Sequence, residues 1–170
     1  MKELLLLRHA KAKRIEDVED KDRPLKKRGK RDAKNIGTWL KKQNLLPDVL
    51  LSSTAKRAID TARIVHKELN VKDLVIQKND QLYATNVEQF RAILAVYPED
   101  VKRVLLVGHN PELEDFLIHL AGKEALPNVE KLLPTAALVR LSISENTAWR
   151  DLNEQCAQFL SMTYAKSLLD

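Results

Sequence analysis

The chain has 170 residues, 44% of them apolar, a single cysteine and a formal net charge of +5. That size and apolar content suit one domain with a sizeable core, and a lone thiol excludes an internal disulfide, a zinc ribbon and a dithiol redox pair. The apolar run at the start is four leucines, too short for a signal-peptide core or a membrane span, so a cytoplasmic protein is expected.

"LLLLRHAKAKR" occupies residues 4–14, with residues 3–8 reading as a short buried strand that delivers Arg8 and His9 at its end. The basic surplus concentrates in the segment that follows, residues 11–34. A solvated loop and helix face accounts for such a mixture, as does a rim that attracts an anionic substrate or an acidic partner protein. A nucleic-acid surface is disfavoured, because no aromatic residue interleaves with these cations and no zinc-finger or RRM pattern is present.

From Asp22-Arg23-Pro24 the chain turns into a helix whose inner face carries Ala33, Ile36, Gly37 and Leu40. Asn44 to Pro47 ends it. "DVLLSS" at 48–53 is a second strand, followed by a helix with Ala55, Ala58, Ile59, Ala62 and Leu69 on one side. "DLVIQ" at 73–77 is a third strand, and Thr85 with Glu88 has capping-box spacing ahead of the helical "VEQFRAILAVY". "KRVLLVGHN" at 102–110 supplies the fourth strand and its turn, Pro111 the first turn of a helix bearing Leu113, Phe116, Leu117 and Leu120. "TAALVRLSI" reads as a fifth strand and residues 151–168 as a closing helix. No repeat or linker divides the chain, so one domain over 1–170 is expected. Alternating strands and helices with near-continuous apolar strands predict an α/β three-layer sandwich, a mostly parallel central sheet flanked by helices.

Ligands of open α/β sheets bind beyond the carboxyl ends of the strands. Three polar clusters fall at such ends: Arg8-His9, then Ser52-Ser53 with Arg57 one turn into the next helix, then Gly108-His109-Asn110. Two arginines bind a phosphoryl dianion through paired charge-assisted hydrogen bonds. A neutral imidazole can attack phosphorus while a second donates to its oxygens. A metal centre is the competing use of two histidines, disfavoured because neither has a carboxylate at ligand spacing. His66 and His119 sit inside helix patterns and are expected to be structural.

With "LLLLRHAKA", "DRPLKKRG", "LSSTAKRAIDTA", "LLVGHNPELEDF" and "LPTAAL" in this order, nearly the whole chain resembles the histidine phosphatase superfamily, specifically its small SixA-type phosphohistidine phosphatase branch. The resemblance implies a phosphoglycerate mutase-like fold and a phosphoenzyme route, with His9 as nucleophile and Arg8, Arg57 and His109 as the phosphate pocket. It further implies substrate contacts from Arg23 and Asn110, and no metal or organic cofactor. Larger members place an acidic proton donor between the second and fourth strands. Here Glu88 is the only acid near the start of the corresponding helix, and helix capping accounts for it; Asp22, Glu112 and Asp115 have no better support as donors.

The missing donor bears on substrate. An alkoxide leaving group needs a proton, whereas phosphohistidine can expel a neutral imidazole if its other ring nitrogen is already protonated. The absence of long insertions predicts an open site accessible to a protein-borne phosphohistidine. The expected activity is therefore phosphohistidine protein phosphatase. The alternatives are a small-molecule phosphomonoesterase of the same superfamily and a catalytically silent phosphohistidine-binding module. The expected partner is a phosphohistidine-bearing protein or a small phosphorylated substrate, without nucleic acid or membrane.

Overall fold

The computed structural model describes residues 1–168; the last two positions of the expected 1–170 domain lie outside the described residues. Six strands form one sheet in the order β3-β2-β4-β1-β5-β6. In chain order the elements are β1 (Lys2–Arg8), α1 (Lys27–Lys42), β2 (Val49–Ser52), α2 (Lys56–Leu69), β3 (Ile76–Lys78), α3 (Val87–Leu94), β4 (Arg103–Gly108), α4 (Glu112–Ala121), β5 (Ala137–Ile143) and β6 (Ala157–Tyr164). The pairings β3-β2, β2-β4 and β4-β1 are parallel, whereas β5 and β6 run antiparallel to their neighbours. The sheet is thus mostly parallel, in the phosphoglycerate mutase-like arrangement.

The leucine run is explained by layering. Leu4 and Leu6 face a core with Phe90 of α3 and Phe116 and Leu117 of α4, while Leu5 and Leu7 face the opposite core with Ile36 and Leu40 of α1 and Ala62 and Val65 of α2. A strand covered on both sides needs apolar residues at every position rather than at alternate ones. Helices α1 and α2 approach so closely that a Cβ on Gly37 would lie 2.8 Å from that of Glu68.

At the amino end of β1, two buried charges are each met by opposite charge. The Lys2 ammonium, wholly inaccessible, donates to Glu99 at 2.7 Å and to two backbone carbonyls. The Glu3 carboxylate sits between two guanidiniums, Arg103 at 2.6 Å and Arg140 at 2.5 Å.

Three expectations need correction. Residues 151–168 do not form a closing helix: after a short 3-10 turn at Trp149–Asp151 the chain makes β6, which pairs with β5 along its whole length. The apolar pattern there is ambiguous between the two periods, and the otherwise unpaired edge of β5 selects the strand. The third strand is shorter and later than 73–77, beginning at Ile76, because Asp73 takes a left-handed turn conformation and Leu74 turns its carbonyl to His66. The cap of α3 is shifted by one residue: Asn86, not Thr85, is the N-cap, its side chain accepting from Gln89 N at 2.9 Å.

Candidate active site

The carboxyl ends of β1, β2 and β4 lie side by side, with Arg8 opposite Gly108 and Ser52 opposite Val107, so the residues just beyond them converge. His9 N donates to Gly108 O at 3.1 Å and Ser53 N to Val107 O at 3.1 Å. The His9 and His109 rings are 5.1 Å apart between centroids. Arg57, the second residue of α2, directs Nε to within 3.3 Å of His9 Nε2. His9, Arg57 and His109 are all buried. The structure therefore brings together Arg8, His9, Arg57 and His109.

The hydrogen bonds fix the ring states. His9 Nδ1 lies 2.8 Å from the carbonyl of Ala10, which can only accept, so Nδ1 carries the proton and Nε2 presents its lone pair towards Arg57. Burial, followed by the adjacent charges of His109, Arg57 and Arg8, lowers the His9 pKa to about 3. His9 is a neutral imidazole at physiological pH. Its loop is braced by Thr61, whose hydroxyl accepts from Ala10 N at 2.9 Å and donates to the Arg57 carbonyl at 2.7 Å.

His109 Nε2 is 2.8 Å from Ser53 Oγ, which itself accepts from Ala55 N. The Ser53 hydroxyl is buried and His109 Nε2 is the acceptor within its reach among the described residues, so the hydroxyl donates to Nε2 and the proton of neutral His109 stands on Nδ1. Burial and the Arg57 charge hold the His109 pKa at about 4. That Nδ1 is buried without a partner, and so is Nε of Arg8, whose Nη1 donates to Leu133 O at 3.0 Å. Arg8 Nε and His109 Nδ1 are thus two buried donors without a partner, one on the residue preceding His9 and one on the ring beside it.

Arg57 has a partner that the sequence did not suggest. The 3-10 turn at Asp20–Asp22 presents Asp20 end-on to the guanidinium: Nη1 donates to the Asp20 carbonyl at 2.7 Å and Nη2 to its carboxylate at 3.0 Å. The end-on grip leaves the Nε edge facing His9. Tyr83 donates to the same carboxylate at 2.7 Å and lays its ring edge-on to His109, centroids 5.5 Å apart. The Tyr83 hydrogen bond, then those of Arg57 and Arg23, lower the Asp20 pKa to about 2, so at neutral pH Asp20 is a carboxylate with no proton to give.

The other expected residues are bonded within the fold. Arg23 is held by Asp20 at 3.1 Å and by the Lys13 carbonyl at 3.2 Å. Asn110 commits its amide nitrogen to Glu114 at 2.7 Å and to Leu133 O at 2.9 Å, the same carbonyl that receives Arg8. Glu88 is 79% exposed and pairs with Arg91 at 3.2 Å; it neither caps α3 nor joins the site. His66 is structural, bonded to the Leu74 carbonyl.

Residues 4–93 match the model of the histidine phosphatase superfamily, branch 1. The chain belongs to that superfamily. As a histidine phosphatase superfamily member it is a phosphatase, and its relatives agree in extent. A protein of Mycobacterium tuberculosis without an assigned activity is 30% identical over 160 residues, covering 89% of this chain and 94% of that one. A crystal structure from Agrobacterium tumefaciens, provisionally assigned as the phosphohistidine phosphatase SixA, is 28% identical with a TM-score of 0.77, covering 95% of this chain and 97% of that one. The protein histidine phosphatase SixA complexed with tungstate has a TM-score of 0.81 at 21% identity over 98% and 99% of the two chains, a likeness of fold. Among the described residues, no helix is long and apolar enough to cross a membrane.

Proposed function

We propose that the whole chain acts as one histidine phosphatase domain that hydrolyses phosphohistidine on proteins, through a covalent phosphoenzyme at His9. The observation that carries this reading is the pair of unpartnered buried donors, Arg8 Nε and His109 Nδ1, on the two residues that adjoin a neutral His9 in the chain and across the ring pair. Orphaned buried donors are costly, and a phosphoryl oxygen on each offsets that cost at the point where charge develops.

In the first step His9 Nε2 attacks phosphorus and the P–N bond of the substrate breaks, the electron pair leaving with a neutral imidazole whose other nitrogen already bears its proton. Arg57 presents its Nε edge to the transferring group and Asp20 holds that guanidinium in place; Arg23 bonds the same Asp20 carboxylate, and Asn110 shares the Leu133 carbonyl with Arg8. In the second step water attacks phosphorus and His9 departs. Because Nδ1 keeps its proton against the Ala10 carbonyl, the phosphorylated ring carries positive charge and leaves as a neutral imidazole.

The carboxylate that grips Arg57, Asp20, is ionised at neutral pH and so supplies no proton to a poor leaving group. This favours P–N over unactivated P–O substrates, as does the SixA assignment of the Agrobacterium neighbour. The test is a panel: a histidine-phosphorylated protein, phosphoimidazole, an aryl phosphate and an alkyl phosphate, compared by kcat/KM. Phosphohistidine protein should be the fastest. An alkyl phosphate turned over faster would reassign the enzyme to small-molecule phosphomonoesters, and labelling without turnover would make it a binding module.

A further inference from the structure

Beside the phosphoryl site lies a second concave surface, a groove with a cavity volume of about 640 Å³ between α1 and the 131–135 segment. Arg28, Arg31, Lys131 and Lys166 line it, all exposed. Its one carboxylate is Asp32, mostly covered, 3.9 Å from Arg28. Among the described residues the other three cations have no ion pair.

The groove shares its walls with the active site. On one side Leu133 O receives Arg8 and Ala136 N donates to the carbonyls of Arg8 and His9, both at 3.1 Å. On the other, Lys26 N donates to Lys11 O at 2.9 Å, and the same oxygen lies only 2.2 Å from where a Cβ on Gly29 would stand. The first turn of α1 is therefore packed directly on the segment that follows the nucleophile. Partial desolvation, then Lys26, Arg28, Arg14 and Arg8, lower the Lys11 pKa, a measure of how closely these cations crowd.

The positive surface continues along α1 through Lys30, Arg31 and Lys34, where a second groove opens. From Arg28 to Thr38 the helix advances roughly 15 Å at 1.5 Å per residue, longer than a phosphoryl group or small metabolite requires. Tyr164 is the only aromatic side chain along either groove and is half-buried, which gives successive bases no stacking platform.

Resting on the phosphohistidine reading above, we propose that this basic groove docks an acidic face of the phosphohistidine-bearing protein, which sets protein substrate selection separately from phosphoryl chemistry. Complementary charge of this kind raises the rate of productive encounter and orients the partner.

The test compares wild type with Arg28→Ala/Arg31→Ala/Lys131→Ala. The substrates are phosphoimidazole and two forms of one acidic phosphocarrier protein phosphorylated on histidine, one native and one with the acids around its histidine changed to amides. Folding is checked by circular dichroism. At low salt the triple variant should lose about tenfold in kcat/KM on the native carrier, keep phosphoimidazole activity within about twofold, and show no added loss on the amidated carrier. The difference should fade as ionic strength rises.

Equal rates for the two carriers with wild type, or an unchanged rate for the triple variant, would overturn the docking surface while leaving the phosphatase reading intact. Direct binding of the unphosphorylated carrier, read by fluorescence anisotropy, separates the other case. Charge-dependent binding with no dephosphorylation of either carrier would refute the phosphohistidine reading and keep the docking surface. Retention of wild type on DNA or RNA at physiological salt, abolished by the same substitutions, would assign the groove to nucleic acid and overturn the proposal.

Discussion

The two ends of β1 treat buried polar groups in opposite ways. At the amino end, Lys2 and Glu3 are as buried as any leucine, yet the ammonium has three acceptors and the carboxylate two guanidiniums. At the carboxyl end, Arg8 Nε, His109 Nδ1 and Asn110 Oδ1 are buried and unpartnered, three of the four such side-chain atoms among the described residues; the fourth belongs to His119 on α4. Burial alone does not separate a structural charge from a functional one. What separates them is whether the hydrogen-bonding capacity is already spent within the fold.

The comparison breaks if residues at the two ends behave alike. The largest effect is expected from His9→Ala, which should abolish phosphoenzyme labelling and lower kcat by at least about 10³-fold with little change in the denaturation midpoint. Label trapped on His109 instead would reverse the assignment. Glu3→Ala should do the converse: it leaves Arg103 and Arg140 facing one another uncompensated and should cost about 3 kcal/mol of stability, measured by urea unfolding, with kcat/KM per folded molecule unchanged.

Arg57→Ala removes charge-assisted hydrogen bonds worth roughly 1.5–3 kcal/mol, so kcat/KM should fall about 10- to 150-fold. Arg57→Lys should recover only part, because a lysine offers neither the edge toward His9 nor the end-on grip of Asp20. Full activity of the alanine variant would move Arg57 out of the phosphoryl site.

Acid sharpens the contrast more gently. Histidine in the unfolded chain titrates near 6.5, whereas burial holds His9 at about 3 and His109 at about 4. Between these values the unfolded chain binds more protons. The stability owed to the two neutral rings is therefore complete above about pH 6.5 and drains as the pH falls toward 4 and then 3. Urea unfolding at pH 7.5, 5.5 and 4.5 should show this slope, shallower in His9→Ala; kcat/KM on an aryl phosphate, whose leaving group needs no proton, should stay flat from about pH 6 to 8, the nucleophile being neutral throughout. The smallest effect belongs to Glu88→Gln, which should change phosphohistidine hydrolysis less than about threefold against the 10²–10⁴ of a true general acid.

The residues at the strand tips were legible because their types are out of place there: cations and imidazoles directly after apolar runs, at ends where this architecture binds ligands. The partners of those residues were not. Asp20 lies in a mixed-charge loop among several other acids, and nothing local distinguishes the one whose carboxylate reaches Arg57; that is fixed by the packing of the 20–22 turn against α2. Tyr83 has no periodicity to mark it, and Ser53 was visible only as part of a polar pair. The misplaced cap of α3 has a local cause, since Thr85-Asn86 and Glu88-Gln89 offer two overlapping solutions and side-chain geometry chooses the second. The misread of 151–168 has a global one, the open edge of β5.

The position of β1 sets the order in which the molecule can be completed. It precedes the other elements along the chain, and α1 and α2 cover one of its faces early, yet its two neighbours in the sheet begin only at Arg103 and Ala137, so both of its edges wait for the fourth and fifth strands. Such long-range closure slows folding and leaves a leucine strand open to pairing with other chains meanwhile. Nascent chains released before β5 should therefore aggregate, and catalytic competence should arrive together with the final sheet pairing instead of building up by stages.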